Sequence, residues 1–264
     1  MEISHETRQN LVGHGGQAGI LASEICDALE TDNRDQVYKL YMGAWDRGVS
    51  VDETARIRQI LNSEVLLDRG LEFTQHGVKR TFRFWSQDEK KCYLDFAHDV
   101  CRVLVRAGVV DVCVGYGGAL AFGRSRDLIP HDDDLDLIVS LKVESFPTIS
   151  DGLEHVQTIL QSSGLNVHGN YLSHRHVSKS GFSVDLFVGI DEDGFFSSYP
   201  GPRKYIRSET IFPASLHVLF NAPVLLPRAL KSYLAAVYGN GWETPDPNFN
   251  HKWDKFAFAP LLPK

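Results

Sequence analysis

The chain predicts an α+β fold, with helices over its first part and short apolar strands interleaved with helices after residue 86. Three observations predict it. Apolar residues recur at helical spacing between residues 17 and 69. Later runs such as "DLDLIVS" and "GFSVDLFVGI" alternate with the two-residue period of a strand. Amphipathic stretches of helical length, bounded by capping and glycine signals, lie between those runs. The change of pattern divides the chain into a helical N-terminal region with one strand-like run, residues 1–85, and a second domain, residues 86–264.

In the first region "AGILASEICDALE" and "VDETARIRQILNSEVLLDRG" read as helices, the second stopped by Gly70. They carry no recognisable chemistry and read as a packing or docking subdomain. "GVKRTFRFW" alternates as a strand does. Ser86 and Glu89 then have capping-box spacing, with Asp88 also in the first turn. The helix they open should bury Tyr93, Ala97, Val100 and Leu104 and end at Gly108. "VVDVCVGY" fits a buried strand, broken by Gly117-Gly118, and "ALAFGRSRD" follows as a short helix or turn. A helix should cover "DGLEHVQTILQSSG", and "DEDG" should turn the chain after "GFSVDLFVGI". Pro227 fits the first position of a helix that Gly239 closes, with Leu230, Leu234 and Val237 as its buried stripe. The tail "YGNGWETPDPNFNHKW" is loop-like and aromatic.

At 264 residues and 43% hydrophobic composition the chain can bury a full core. Its formal net charge of -7 argues against a nucleic-acid partner, which needs a basic face. No run of 18 apolar residues spans a membrane, which leaves room only for peripheral association. The opening "MEISHETRQN" has no apolar core, so a secretory signal is not expected. Cys26, Cys92, Cys101 and Cys113 show no C-x-x-C pairing and read as buried, reduced thiols of a cytoplasmic protein.

The informative stretch is "IPHDDDLDLIVS", where Asp132, Asp133, Asp134 and Asp136 crowd the start of an apolar strand. Like charges held so close repel and call for a positive partner. The strand period places Leu135, Leu137, Val139 and Leu141 on one face and Asp134 with Asp136 on the other, their side chains roughly 7 Å apart. "GFSVDLFVGI" repeats the device: Phe182, Val184, Leu186, Val188 and Ile190 share a face and Asp185 lies opposite. Two carboxylates on one strand and a third on another suit Mg²⁺ or Mn²⁺, which take oxygen ligands together with substrate phosphates. Two such ions about 4 Å apart clamp both oxygens of a phosphoryl displacement. Gly117 and Gly118 would let backbone N–H groups approach a phosphate, with Arg124 and Arg126 as side-chain donors a few residues later.

Other readings of these residues fare differently. The D-x-D-x-D spacing of Asp132, Asp134 and Asp136 does not make a calcium loop. Leu137 stands where that loop needs Gly, and Val143 where it needs the bidentate Glu. Asp132 and Asp133 fit a cap or solvated turn as well as a ligand set. His174 and His176 would share a strand face and could bind metal, but no further ligand is evident in the sequence, so they read as surface or core histidines. Arg175 between them is a candidate phosphate contact, though solvent is the commoner destination of a lone arginine. No G-x-S-x-G supports a serine nucleophile.

"GGALAFGRSRDLIPHDDDLDL" resembles the signature of the LicD/fukutin family of phosphotransferases, within the polymerase-beta-type nucleotidyltransferase superfamily. That pattern runs Gly-Thr-Leu-Leu-Gly-x-x-Arg, a spacer, then Ile-Pro-Trp-Asp-Asp-Asp-Ile-Asp. Gly117 takes its glycine, Arg124 its arginine, Ile129-Pro130 its Ile-Pro, and Asp132, Asp133, Asp134 and Asp136 its acids. "VDLFVGID" resembles the later strand that supplies the third acid, here Asp185. "LPRALKSYLAAVYGNGWETP" resembles the C-terminal helix and its Tyr-Gly, Trp and Pro. The resemblance covers roughly residues 88 to 253. Gly118 for Thr, Ala121 for Gly and His131 for Trp depart from it.

The resemblance implies a nucleotidyltransferase-type mixed β-sheet flanked by helices. It also implies transfer of a phospho-alcohol (phosphocholine, ribitol phosphate, glycerol phosphate or similar) from a CDP-activated donor to a hydroxyl of a glycan or lipid-linked glycan, with release of CMP. Asp134, Asp136 and Asp185 would hold Mg²⁺ or Mn²⁺ and carry the catalysis. Gly117, Gly118, Arg124, Asp133 and Arg175 would contact substrate. Two alternatives remain open at this level: transfer of a nucleoside monophosphate to a small molecule or protein, and a non-catalytic binding module of a glycan-assembly complex.

Overall fold

The computed structural model describes residues 2–13, 15–74, 76–199, 201–246, 249, 251 and 254–262. They form two compact units. One comprises Met1–Trp85 with Pro130–Asp133, the other Ser86–Ile129 with Asp134–Lys264.

The first unit opens with helices α1 (His5–Val12), α2 (Gly16–Glu30), α3 (Arg34–Met42) and α4 (Val51–Leu61). Leu11, Leu21, Ile25, Leu29, Ile57 and Leu61 are almost fully buried in its core. A capping box of Ser50 and Glu53 starts α4. Beyond it a π turn (Asn62–Leu66) and a 3-10 turn (Leu67–Arg69) lead to Gly70, whose φ of 71° closes the helical run as expected. A short hairpin follows, β1 (Glu72–Thr74) against β2 (Gly77–Lys79).

The strand expected over "GVKRTFRFW" is largely corrected: it ends at Lys79, and Phe82–Phe84 is a 3-10 turn. Its backbone donors find acceptors elsewhere, Phe82 N–H donating to the carbonyl of Asp132 (2.8 Å) and Arg83 N–H to that of Pro130 (2.7 Å). These bonds tie residues 130–133 into the first unit. Nearby, the Glu72 carboxylate accepts from Thr81 Oγ1 (2.9 Å) and Arg83 Nε (3.2 Å), so its burial is compensated.

The second unit runs α5 (Gln87–Arg106), β3 (Val112–Val114), α6 (Tyr116–Arg124), β4 (Asp136–Lys142), α7 (Ile149–Ser162), β5 (Asn166–His168), β6 (His174–Lys179), β7 (Phe182–Glu192), β8 (Phe195–Ser198), β9 (Ile206–Arg207), α8 (Ser208–Ile211), β10 (Ser215–Leu219), β11 (Ala222–Leu226) and α9 (Leu230–Tyr238). Its main sheet has the order β3-β4-β7-β6-β5, with β8 on the far end of β7 and β9 beyond it. β4 and β7 run parallel and the other pairings are antiparallel. The protein is thus α+β with a mixed sheet flanked by helices. Among the described residues no helix is long and apolar enough to cross a membrane.

Several expectations hold in detail. Ser86 and Glu89 form both halves of a capping box on α5, and Tyr93, Ala97, Val100 and Leu104 are buried. "DEDG" turns β7 into β8 with Asp193 at φ 56° and Gly194 at φ 82°, the left-handed pair a tight hairpin requires. Others are corrected. "VVDVCVGY" pairs only over Val112–Val114. Pro227 does not start the last helix. The residues after it are held by α8, with Arg228 N–H on the Ile211 carbonyl and Ala229 N–H on that of Thr210, so α9 begins at Leu230. Cys92 is exposed, while Cys26, Cys101 and Cys113 are buried free thiols. In the tail, Pro247, Asn248, Asn250, Lys252 and Trp253 lie outside the described residues.

Strand alternation divides the sheet between two sets of helices. Leu141, Val188 and Ile190 meet α7 closely enough that a Cβ on Gly152 would lie 2.8 Å from Val188 and 2.9 Å from Leu141. The opposite face carries Cys113, Ile138 and Phe187, packed with Ala119 and Leu120 of α6 and Tyr233 and Leu234 of α9. On that face Gly189 leaves room for the Phe196 ring, which a Cβ would overlap. Gly189→Ala should therefore cost about 1–3 kcal/mol through overpacking, measured as a lower denaturant midpoint at unchanged slope; an unchanged midpoint would disprove the close approach.

Candidate active site

The parallel register pairs Asp136, the first residue of β4, with Asp185 of β7. Neighbouring strands lie about 4.8 Å apart, so these two acids sit side by side on the face covered by α6 and α9. Asp185 N–H donates to the Leu135 carbonyl (3.0 Å), carrying the ladder one step upstream. Asp134 lies two residues before β4 in the segment leading into it. Asp134, Asp136 and Asp185 are each partly buried.

α6 begins beside this pair. Its cap residue Gly115 donates its N–H to the Asp136 carbonyl (2.9 Å). Gly117 and Gly118 occupy the first turn, where backbone N–H groups lack intrahelical acceptors and the helix dipole is positive. Gly118 also has a packing reason: a Cβ there would lie 2.5 Å from Val114 Cγ1 and 2.9 Å from Leu135 Cδ1. Tyr116 opens the helix at φ 37°, its N–H on the buried Tyr233 hydroxyl (3.0 Å). Its own hydroxyl reaches Ser198 Oγ at 3.3 Å. Burial pushes the Tyr116 phenol up to about 12, with nearby Asp136 adding to the rise, so it stays protonated.

Three expected substrate contacts are directed elsewhere. Arg124 donates from Nε to the Trp242 carbonyl (2.5 Å) and from Nη2 to that of Thr244 (3.1 Å), holding the segment after α9. Arg175 is buried on the α7 face of the sheet, its Nε on Gln157 Oε1 (3.0 Å) and its Nη1 on the Tyr171 carbonyl (2.7 Å). It therefore faces away from Asp185, and it does not reach solvent either. Asp133 belongs to the first unit, where His76 Nδ1 lies 2.9 Å from its Oδ1. Asp132 Oδ1 accepts the Asp133 N–H (3.0 Å).

The reading of His174 and His176 as histidines without a further ligand is corrected. Antiparallel pairing sets His176 opposite Asp185 and His174 opposite Phe187. His176 Nδ1 lies 2.5 Å from Asp185 Oδ1 and His174 Nε2 lies 3.5 Å from Oδ2. Burial, with His176 and Arg175 adding, lowers His174 to about 4 and keeps it neutral near pH 7. The i, i+2 spacing was visible in the sequence. The partner acid was not, because only the register of β6 on β7 brings it there.

A cavity of about 480 Å³ adjoins Tyr116 on the same face. Aromatic side chains dominate its wall, among them Phe196, Tyr205, Tyr233, Tyr238 and His251. Sequence reading found the aromatic tail but not this enclosure, which gathers residues from β8, the loop after it and α9. That loop is pinned by Arg203, whose guanidinium grips the buried Glu192 carboxylate (Nε to Oε2, 2.8 Å) and the Ala257 carbonyl (2.8 Å).

The chain matches no family model and no curated protein. Among solved structures it is similar to the crystal structure of ANT(2'')-Ia in complex with adenylyl-2''-tobramycin. That likeness has 14% identity and a TM-score of 0.36 over 51% of this chain and 68% of that one. It is also similar to the solution structure of the antibiotic-resistance factor ANT(2'')-Ia, again at 14% identity, with a TM-score of 0.38 over 60% and 76% of the two chains. Likenesses this remote carry no argument about function.

Arg203→Ala should destabilise the protein by on the order of 3 kcal/mol near pH 7, because it strands the buried Glu192 charge. Hydrogen bonds from Arg203 hold the Glu192 carboxyl below its ordinary 4.5. That stabilisation is present above pH 4.5 and is lost as pH falls through the lowered folded value. The gap between wild type and variant should accordingly narrow below pH 4.5 in thermal melts; a gap independent of pH would refute the ion pair.

Proposed function

We propose that the chain is a divalent-cation-dependent phosphotransferase that moves a phospho-alcohol from a CDP-activated donor to a glycan hydroxyl. The observation that carries this reading is the side-by-side placement of Asp136 and Asp185, beside the N-terminus of α6 and on the face of the aromatic cavity. Adjacent carboxylates repel each other, and a hard cation bound by their oxygens relieves that repulsion. Oxygen donors of this kind suit Mg²⁺ or Mn²⁺, which Asp134, Asp136 and Asp185 would hold. When bound, such an ion offsets the charge on the donor phosphates.

The remaining roles fall to the chain itself. The first-turn amides of α6 at Gly117 and Gly118 suit phosphate oxygens. The cavity walls of Tyr116, Tyr205 and Tyr238 suit the flat face of a nucleobase, and they exclude water from the donor. The acceptor oxygen bonds to the phosphorus bearing the alcohol, and its proton passes to Asp185. The bond from that phosphorus to the bridging oxygen breaks, and CMP departs. Arg124 and Arg203 serve as positioning residues for the cavity wall. The CDP donor and glycan acceptor rest on the motif resemblance.

Asp136→Asn should abolish turnover while circular dichroism and the melting profile stay near wild type; retained activity sinks the assignment. With Mg²⁺ or Mn²⁺, cytidine nucleotides should stabilise the wild type by about 2.7 kcal/mol at a hundredfold excess over Kd, and the variant should lose that gain. The released product decides the chemistry. CMP supports phospho-alcohol transfer, pyrophosphate moves the assignment to nucleotidyl transfer, and no stabilisation by any nucleotide favours a binding module.

A further inference from the structure

On the strand face next to the carboxylate pair, Asp185 divides its two oxygens between two imidazoles. Oδ1 meets His176 Nδ1 and Oδ2 faces His174 Nε2. One ligand atom from each of the three residues lies within 4.8 Å of the others. At a tetrahedral ion with bonds of about 2.0–2.2 Å, ligand atoms are separated by about 3.3–3.6 Å. The 3.5 Å between His174 Nε2 and Asp185 Oδ2 already has that spacing, whereas His176 Nδ1, 2.5 Å from Oδ1, is at hydrogen-bond distance and must draw back for both residues to ligate one ion.

The His174 ring is held in place for such a role. Tyr171 stacks on it at 4.5 Å between centroids with planes 10° apart, and Phe187 covers it at 4.7 Å. Ser173 Oγ, 2.8 Å from Nδ1, engages the outer nitrogen and leaves Nε2 toward Asp185. An outer partner on the second ring nitrogen is how metal-binding histidines are oriented. His168 packs against His176 at 5.3 Å and steadies the other ring.

We propose that His174, His176 and Asp185 form a two-nitrogen, one-oxygen site for a divalent transition-metal ion of the Zn²⁺ class. Imidazole nitrogen suits Zn²⁺, Cu²⁺ or Ni²⁺ and is a poor partner for Mg²⁺, which prefers oxygen. The site shares Asp185 with the carboxylate pair, so an ion there draws this acid toward the histidine side. It depends on the transferase reading for nothing else.

The test uses the full, metal-free chain without nucleotide. Calorimetric titration with Zn²⁺ should give about one ion per chain, with His174→Ala and His176→Ala each weakening it about tenfold or more at unchanged circular dichroism. Mg²⁺ binding should not change in either variant. Pulsed EPR of the wild type loaded with Cu²⁺ in place of Zn²⁺ should show ¹⁴N coupling from imidazole, a readout that needs no variant to fold. Absent Zn²⁺ binding, wild-type affinity in both variants, or no ¹⁴N coupling overturns the proposal, leaving His176 and Asp185 as a hydrogen-bonded pair. Zn²⁺ binding without nucleotide stabilisation would overturn the transferase reading alone. Nucleotide stabilisation without ¹⁴N coupling would overturn this inference alone.

Discussion

The parallel pairing of β4 with β7 is the constraint on which the rest of the second unit depends. It places Asp136 against Asp185, and the same ladder sets Leu137, Val139 and Leu141 against Leu186, Val188 and Ile190. Those six aliphatic side chains are buried to 6% exposure or less. At about 1.5–3 kcal/mol each, their burial offers an upper bound of about 9–18 kcal/mol. Two like charges at the interstrand spacing of about 4.8 Å repel by about 3.5 kcal/mol at an effective dielectric near 20. Burial wins, so the fold can hold two like charges together. A slip of one residue would turn Asp185 to the α7 face and take the aliphatic set away from its contacts with α7, which makes the register hard to lose.

The opposite face of the sheet obeys a different constraint, close approach. Gly115, Gly118 and Gly189 stand where any side chain would meet Ile138, Leu135 or Phe196. Their absence of Cβ lets α6 and the Phe196 ring come down on the sheet, and that brings Tyr116 beside Asp136. One set of contacts thus joins the helix N-terminus, the acids and the aromatic cavity.

Arginines fasten the periphery of this arrangement. Arg124 binds carbonyls after α9, Arg203 binds Glu192 and the C-terminal turn, and Arg175 is buried against α7. A guanidinium has five donors in a rigid fork, and loop carbonyls removed from water need donors. Satisfying them uses groups that a motif alone would assign to phosphate. In the first unit the same logic appears with Glu72, whose buried charge is met by Thr81 and Arg83.

The sequence by itself determined the local features: the capping box of Ser86 and Glu89, the left-handed turn at Asp193-Gly194, the helical periods, and the face on which Asp136 and Asp185 each lie. These follow from interactions within a few residues, where spacing and side-chain type decide the outcome. It could not show that Phe82–Phe84 bonds to residues 130–133, that Arg228 and Ala229 are held by α8, or that His174 and His176 converge on Asp185. Each of those rests on partners tens of residues away or on the register between strands, and periodicity along one strand carries no information about its neighbour. Tertiary structure alone decided where Arg124, Arg175 and Asp133 point. A charged side chain goes to the partner that compensates it, and here those partners are carbonyls, Gln157 and His76 brought close by folding.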